Sequence, residues 1–324
     1  MAGRIPKVVV LGPCYVDMAI KCQSFPGAGN VVEGVGFSCQ PAGPGPNRAI
    51  AAAICQCETY IIGKVGDDMP GKMIVDNLSK HHVNTEFIYT AQAMSTGVFM
   101  TMVDAEGKNS GCVCEGANRA LCKEELQCAA VEQLISSADV CLIDGGCGTD
   151  VVKSAVRIAN AYKTKVILEA QVKFGHADTI DDPDWPMEYY SVDILVPKFQ
   201  QQEECSGINA AAGIAHKIKL AGSELVARGV ECVVVGNGTK GSYVIDRNGT
   251  IQVCGFDREC GGHHSICDDA FAGALAASCG AGDEPQKAVK FAEAARSISA
   301  GRIGEQDILP SKEEIIQLLI NYPD

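Results

Sequence analysis

The sequence predicts an α/β protein built on a mostly parallel sheet flanked by helices, with a small β-rich lid. Three observations predict it: short β-branched runs recur along the chain, amphipathic segments separate them, and two stretches keep strand alternation but lack helices. Continuous apolar strands that alternate with helices belong to parallel sheets covered on both faces.

In chain order, strands are expected at 8–11, 60–62, 140–143, 165–168, 194–196 and 232–235, where Val, Ile and Leu run together. Helices are expected at 48–56, 150–162 and 213–228, where apolar residues recur at helical spacing. Residues 19–42 and 96–115 break this rhythm with Gly and Pro turns, and the second reads as a hairpin turning at Asp104-Ala105-Glu106-Gly107. These two excursions form the expected lid, and 1–18, 43–95 and 116–324 form the main domain. The acidic stretch 175–190 reads as a long solvated connection.

Composition narrows the function. A chain of 324 residues with 47% apolar and 21% charged residues can bury a substantial core. The net charge is −13 and no Lys/Arg block occurs, which argues against nucleic acid and against a membrane surface as partners. A small anion such as ATP is still admissible, because local N–H groups and single cations outweigh the global field inside a cleft. The 17 cysteines are scattered through strands and helices with no secretory signal before them, so reduced thiols and a cytoplasmic location are expected. Cys55-x-Cys57 and Cys112-x-Cys114 lack a matching Cys/His pair and do not make a zinc site.

The run His263-His264-Ser265-Ile266-Cys267-Asp268-Asp269-Ala270-Phe271 puts an acidic pair at the mouth of an Ala-rich helical stretch. A carboxylate there can take a proton from a hydroxyl, next to helix N–H groups able to hold phosphate. Asp268 or Asp269 could equally be a plain N-cap. Further motifs follow a fixed order. They are Val10–Asp17 with Gly12, Ala42-Gly43-Pro44-Gly45-Pro46-Asn47, Gly63–Gly71, Thr96-Gly97-Val98, Glu115-Gly116-Ala117-Asn118, Gly236-Asn237-Gly238-Thr239-Lys240-Gly241, and Gly304-Glu305-Gln306-Asp307. In this order and spacing the chain resembles the ribokinase-like (PfkB) carbohydrate kinases.

The resemblance implies ATP-dependent phosphorylation of a hydroxyl on a sugar or nucleoside-like molecule, with ATP and magnesium as cofactors and Asp269 as catalytic base. It implies an anion hole around Cys267, Asp268 and Asp269, and acceptor contacts from Asp17, Gly43 and Asn47. Lys198, Asn237, Gly238 and Gly241 fall on the nucleotide side. A homodimer joined through the lids is expected, since exposed strand edges need covering. Asn47 also reads as a helix N-cap, and Asp67 as a turn residue bonding its own backbone.

Several positions depart from the family pattern. Ile266 and Asp268 stand where glycines form the anion hole, Lys198 and Gln201 replace an Asn-x-x-Glu element, Gly236 replaces a Thr, and Glu293 replaces an Asn. His263 stands at a monovalent-cation position, and Gly146 where ribokinases carry a sugar-binding Glu. These departures support a second reading: a catalytically weak or inactive ribokinase-fold protein that binds a small polyol or nucleoside as a sensor or regulatory partner.

Overall fold

The computed structural model describes residues 4–172, 185–199, 210–256, 264–302, 304 and 306–322. Thirteen strands are found among them: β1 (Lys7–Leu11), β2 (Tyr15–Cys22), β3 (Gly34–Ala42), β4 (Glu58–Gly66), β5 (Val83–Ala91), β6 (Gly97–Val103), β7 (Asn109–Cys114), β8 (Val140–Asp144), β9 (Lys165–Val172), β10 (Ile194–Phe199), β11 (Cys232–Gly236), β12 (Ser242–Asp246) and β13 (Gly249–Val253). The helices are α1 (Pro44–Ile54), α2 (Met69–Lys80), α3 (Lys123–Leu126), α4 (Ala129–Ser136), α5 (Thr149–Tyr162), α6 (Ala210–Ala227), α7 (His264–Gly280), α8 (Pro285–Ala300) and α9 (Lys312–Asn321).

Nine strands form one sheet in the order β13-β12-β11-β10-β9-β8-β1-β4-β5. All neighbours are parallel except the β11–β12 and β12–β13 pairs, so an antiparallel hairpin closes one edge. The central strand β1 shows why this sheet needs helices on both sides. Val8 and Val10 enter a core built with α1, α7 and α8, while Val9 and Leu11 enter a second core built with α4, α5 and α6. A fully apolar strand is thus the sequence mark of a two-faced burial.

Four strands form the smaller sheet, in the order β3-β2-β6-β7. It draws on both of the expected excursions, but β2 begins at Tyr15, four residues earlier than the alternation suggests. The β6–β7 hairpin turns at the expected place, where Asp104 accepts hydrogen bonds from the N–H groups of Glu106 and Lys108. Asn118 ties the return of this sheet to the main body, accepting from Cys14 N and donating to Cys14 O, both at 2.8 Å.

Other sequence expectations are corrected. Helix α1 starts at Pro44 with Gly43 as its N-cap, so Asn47 is one turn inside and caps nothing. Asp68, not Asp67, is the structural carboxylate after β4. It caps α2 by accepting from Gly71 N at 2.9 Å and also accepts from Thr96 N at 2.8 Å, just before the start of β6. Of the stretch 175–190, the described end is packed: Tyr189 and Tyr190 are buried, and Trp185 lies edge-on to Tyr189. The positions His263, Gln201 and Glu305 lie outside the described residues.

Candidate active site

The site starts where β3 hands over to α1. Gly43 adopts φ +104°, and a Cβ there would lie 2.9 Å from Pro13 O and 3.0 Å from Tyr15 N, so only glycine fits this turn without strain. The turn aims the first turns of α1 across the carboxyl edge of the sheet, where ligands of such sheets bind. Helix α7 crosses α1 at close range because Gly273 lets them touch. A Cβ at Gly273 would sit 2.5 Å from Ala51 Cβ and 2.7 Å from Arg48 O. One turn earlier on α7, this contact places Asp269 against Asn47 and Arg48.

Asp269 is 4% exposed and both its oxygens are engaged. Asn47 Nδ2 donates to Oδ2 at 2.9 Å, and Arg48 Nε donates to Oδ1 at 2.9 Å. Gln306 Nε2 in turn donates to Asn47 Oδ1 at 2.7 Å, which fixes the orientation of that amide. Burial pushes the Asp269 carboxyl up to about 6, against the opposing pull of Arg48 and Asn47.

Arg48 is fully buried and is the hub of a charged cluster. Its Nη1 lies 2.7 Å from Asp144 Oδ2 at the end of β8, and its Nη2 donates at 2.9 Å to Glu169 Oε1 on β9. Burial works against its charge, but Glu169, Asp144 and Asp269 together outweigh that and hold the guanidinium above its ordinary value. Lys198 on β10 pairs with the same Glu169 oxygen and keeps 45% of its side chain exposed. Three carboxylates meet two cations in this cluster, so the carboxylates outnumber the cations by one.

The opposite flank of α7 holds a second arginine. Arg296 on α8 lies 3.1 Å from Asp268 Oδ1 and 3.0 Å from Glu293 Oε1. Glu293 therefore does not face open space as a bare charge; it is 3% exposed and accepts from Ser242 Oγ at 2.5 Å. Burial raises its carboxyl above the ordinary value, with Arg296 and Ser242 pulling the other way. Next to this flank, β11 ends at Gly236, and Asn237 begins a tight turn in which Gly238 and Gly241 have φ +59° and +95°.

Helix α7 begins at His264, so Ile266, Cys267, Asp268 and Asp269 are helical, and none of them takes a positive φ. Neither member of the acidic pair is the N-cap. The N–H groups of Asp268 and Asp269 lie beyond the first four of the helix and enter its ladder. At Ile266 and Asp268, where the family pattern has glycines, the backbone is helical.

On the acceptor side, Asp17 stands on β2 between Gln40 of β3 and Phe99 of β6. Tyr15 OH donates to Glu115 Oε2 at 2.5 Å. A cavity of about 580 Å³ opens at Glu115, lined also by Arg119, Gly146, Cys147 and Thr149 among others. Gly146 N donates to Asp144 Oδ1 at 2.7 Å, so this cavity borders the Arg48 cluster.

The structure thus brings Asp269, Asn47 and Lys198 into one network and places Asp268 and Gly236 in another. It keeps Asp17 on the small sheet. Sequence reasoning missed Arg48, Asp144, Glu169 and Arg296. A signal existed for two of them: Arg48 is the one charge in Pro44–Ile54, and Glu169 interrupts the apolar run of β9. Charges in segments that must be buried demand partners.

The sequence pattern of pfkB family carbohydrate kinases matches residues 5–312. The chain belongs to this family. Among pfkB relatives it is 26% identical to a ribokinase of Bacillus subtilis, over 96% of this chain and 99% of that one. It is 25% identical to a deoxyribokinase of Salmonella typhi, over 96% and 98% of the two chains. The fold matches the structure of Arabidopsis thaliana ribokinase complexed with ribose and ATP, with a TM-score of 0.82 and 22% identity over 98% of this chain and 99% of that one. A pfkB carbohydrate kinase is a phosphotransferase, and the chain has that family's fold. Among the described residues no helix is long and apolar enough to cross a membrane.

Proposed function

We propose that the protein transfers the γ-phosphoryl group of ATP to a hydroxyl of a sugar or nucleoside-like molecule, with Asp269 as the general base. The observation that carries this is the Asp269 carboxylate itself. It sits at the carboxyl edge of the sheet, held on both oxygens, with its carboxyl pushed up to about 6. A base needs an affinity for protons near the working pH, which a carboxylate reaches by burial. The Arabidopsis relative of the same fold is complexed with ribose and ATP, and the curated relatives are ribokinases and a deoxyribokinase.

In this reading the acceptor lies between the main sheet and the lid sheet, reached by Asp17, Gly43 and Asn47, and bordered by the cavity at Glu115 and Gly146. Asp269 Oδ2 takes the proton of the acceptor hydroxyl, trading its hydrogen bond from Asn47 for one from the substrate. Arg48 holds Oδ1 throughout, so the carboxylate does not rotate as it is protonated. Lys198, half-exposed on the adjacent strand, meets the incoming phosphates as a compact cation. Asn237, Gly238 and Gly241 support the nucleotide at the end of β11. Magnesium carried with the nucleotide would neutralise part of the polyphosphate charge, which Lys198 alone does not offset beside the carboxylates of the Arg48 cluster.

A second reading is a family member that binds a small polyol or nucleoside without turnover. It is favoured by Ile266 and Asp268, which stand at the positions of the anion-hole glycines and are helical in α7. We also place the working form as a homodimer, since Val35, Phe37, Phe99 and Val113 are exposed on the small sheet; light scattering showing a monomer at micromolar concentration would end that reading.

The test is ADP release with ATP and magnesium against a panel of pentoses, hexoses and nucleosides, in the wild type and in Asp269→Asn. Turnover that needs Asp269 supports the kinase. Acceptor binding by titration with no ADP release on any acceptor supports the binding protein.

A further inference from the structure

Arg296 joins three features that look unrelated along the chain. Asp268, Glu293 and Gly236 are far apart in sequence, yet all surround its guanidinium. Nη2 contacts Asp268 at 3.1 Å and Nη1 contacts Glu293 at 3.0 Å. The guanidinium lies 4.2 Å from the centre of the Phe271 ring, and a Cβ at Gly236 would stand 3.5 Å from Nη1. A planar cation is thus held by two carboxylates and face-on by one ring, near the end of the parallel strand β11.

We propose that Arg296 is a phosphate-binding residue of the ATP site, held by Asp268 until the terminal phosphates of the nucleotide displace that carboxylate. This rests on the kinase reading above and adds to it the group that recognises the polyphosphate. The two partners of Arg296 differ in a way that fits the role. Glu293 is buried and fixed by Ser242, so it orients the guanidinium permanently. Asp268 has 42% of its side chain exposed, and an exposed ion pair contributes little to stability, so a doubly charged phosphate outcompetes it. The helical N–H groups of Asp268 and Asp269 are committed to α7, which leaves side chains to supply the positive charge there. Arginine presents two parallel donors that match phosphate oxygens, and stacking on Phe271 limits the entropy lost when it binds them. Lys198 flanks α7 on the other side, so the phosphates would lie between two cations.

Isothermal titration of ATP and of adenosine into the wild type, Arg296→Gln and Asp268→Asn tests this, with melting curves to show that each variant is folded. Arg296→Gln should weaken ATP by about tenfold or more while leaving adenosine within about twofold. Asp268→Asn should tighten ATP, because the competitor for Arg296 is gone, and it carries the test alone if Arg296→Gln does not fold. Unchanged ATP binding in Arg296→Gln, or unchanged or weaker ATP binding in Asp268→Asn, overturns the inference. ADP release by the wild type in that event leaves the kinase standing with a different phosphate site, whereas no ATP binding by the wild type removes both.

Discussion

Arg48 and Arg296 flank the same helix and face the same edge of the sheet, yet their surroundings differ in kind. Arg48 is 1% exposed and meets three carboxylates, two of which are themselves nearly inaccessible. Arg296 is 20% exposed and meets one buried and one exposed carboxylate. Water cannot replace a partner lost inside the first cluster, so its geometry is fixed and each member depends on the others. In the second, solvent or a ligand can take the place of Asp268. The same residue type therefore acts as a framework on one flank and as an exchangeable contact on the other.

The strongest test of the framework is chemical. Asp269→Asn should lower kcat by roughly 10²–10⁴-fold, the usual worth of a general base, while the fold persists, as circular dichroism and melting curves would show. Its stability should depend on pH in a defined sense. Burial raises the Asp269 carboxyl from 3.8 to about 6, so its contribution favours the fold below the ordinary value and is lost as pH rises through about 6. Relative to wild type, the variant should therefore gain in melting temperature across that window.

Next in size, Arg48→Met strands Asp144, Glu169 and Asp269 around Lys198 alone and should cost about 3–5 kcal/mol in chemical denaturation, the usual penalty for breaking a buried ion cluster. Part of that loss should return at acid pH, as the stranded carboxylates take up protons. Arg296→Met should cost less, about 1–3 kcal/mol, because Glu293 keeps Ser242 and its raised carboxyl accepts a proton readily. Equal losses at the two positions would erase the distinction between framework and exchangeable contact.

The smallest effect is on the pH profile. In the wild type, kcat/KM should fall as pH drops below about 6, where Asp269 is protonated. Since Arg48 pulls that carboxyl down, Arg48→Gln should move this limb to higher pH, and Lys198→Met should move it the same way by less. A limb that ignores both substitutions would show that Asp269 does not titrate in the catalytic step.

The parallel sheet was legible because its signal is local. A run such as Val8–Leu11 carries apolar residues on both faces, and only a sheet covered twice can bury them. The motif at 42–47 was legible for a similar reason, since Gly43 answers to a single backbone turn. Helix starts were not. Asn47 and Asp268 both look like caps in sequence, but the caps of α1 and α2 are Gly43 and Asp68, and α7 starts before Asp268. A short polar residue near a helix start satisfies several local roles equally well, and packing chooses among them.

The partners of the charges were the least legible. Arg48 and Glu169 could be flagged as charges in buried segments, but nothing local says that 121 positions separate them from one another in the chain and 2.9 Å in space. Arg296 gave no signal, because a lone arginine on an amphipathic helix reads as solvated. By itself the sequence determined the layers of the fold, the places of its apolar strands along the chain and the acidic pair near the start of α7, since each of these follows from burial patterns and turns within a few residues. Only the tertiary structure decided which charges meet, because the close crossing of α1 and α7 at Gly273 and the convergence of strand ends bring distant residues into a medium where unpaired charge is too costly to persist.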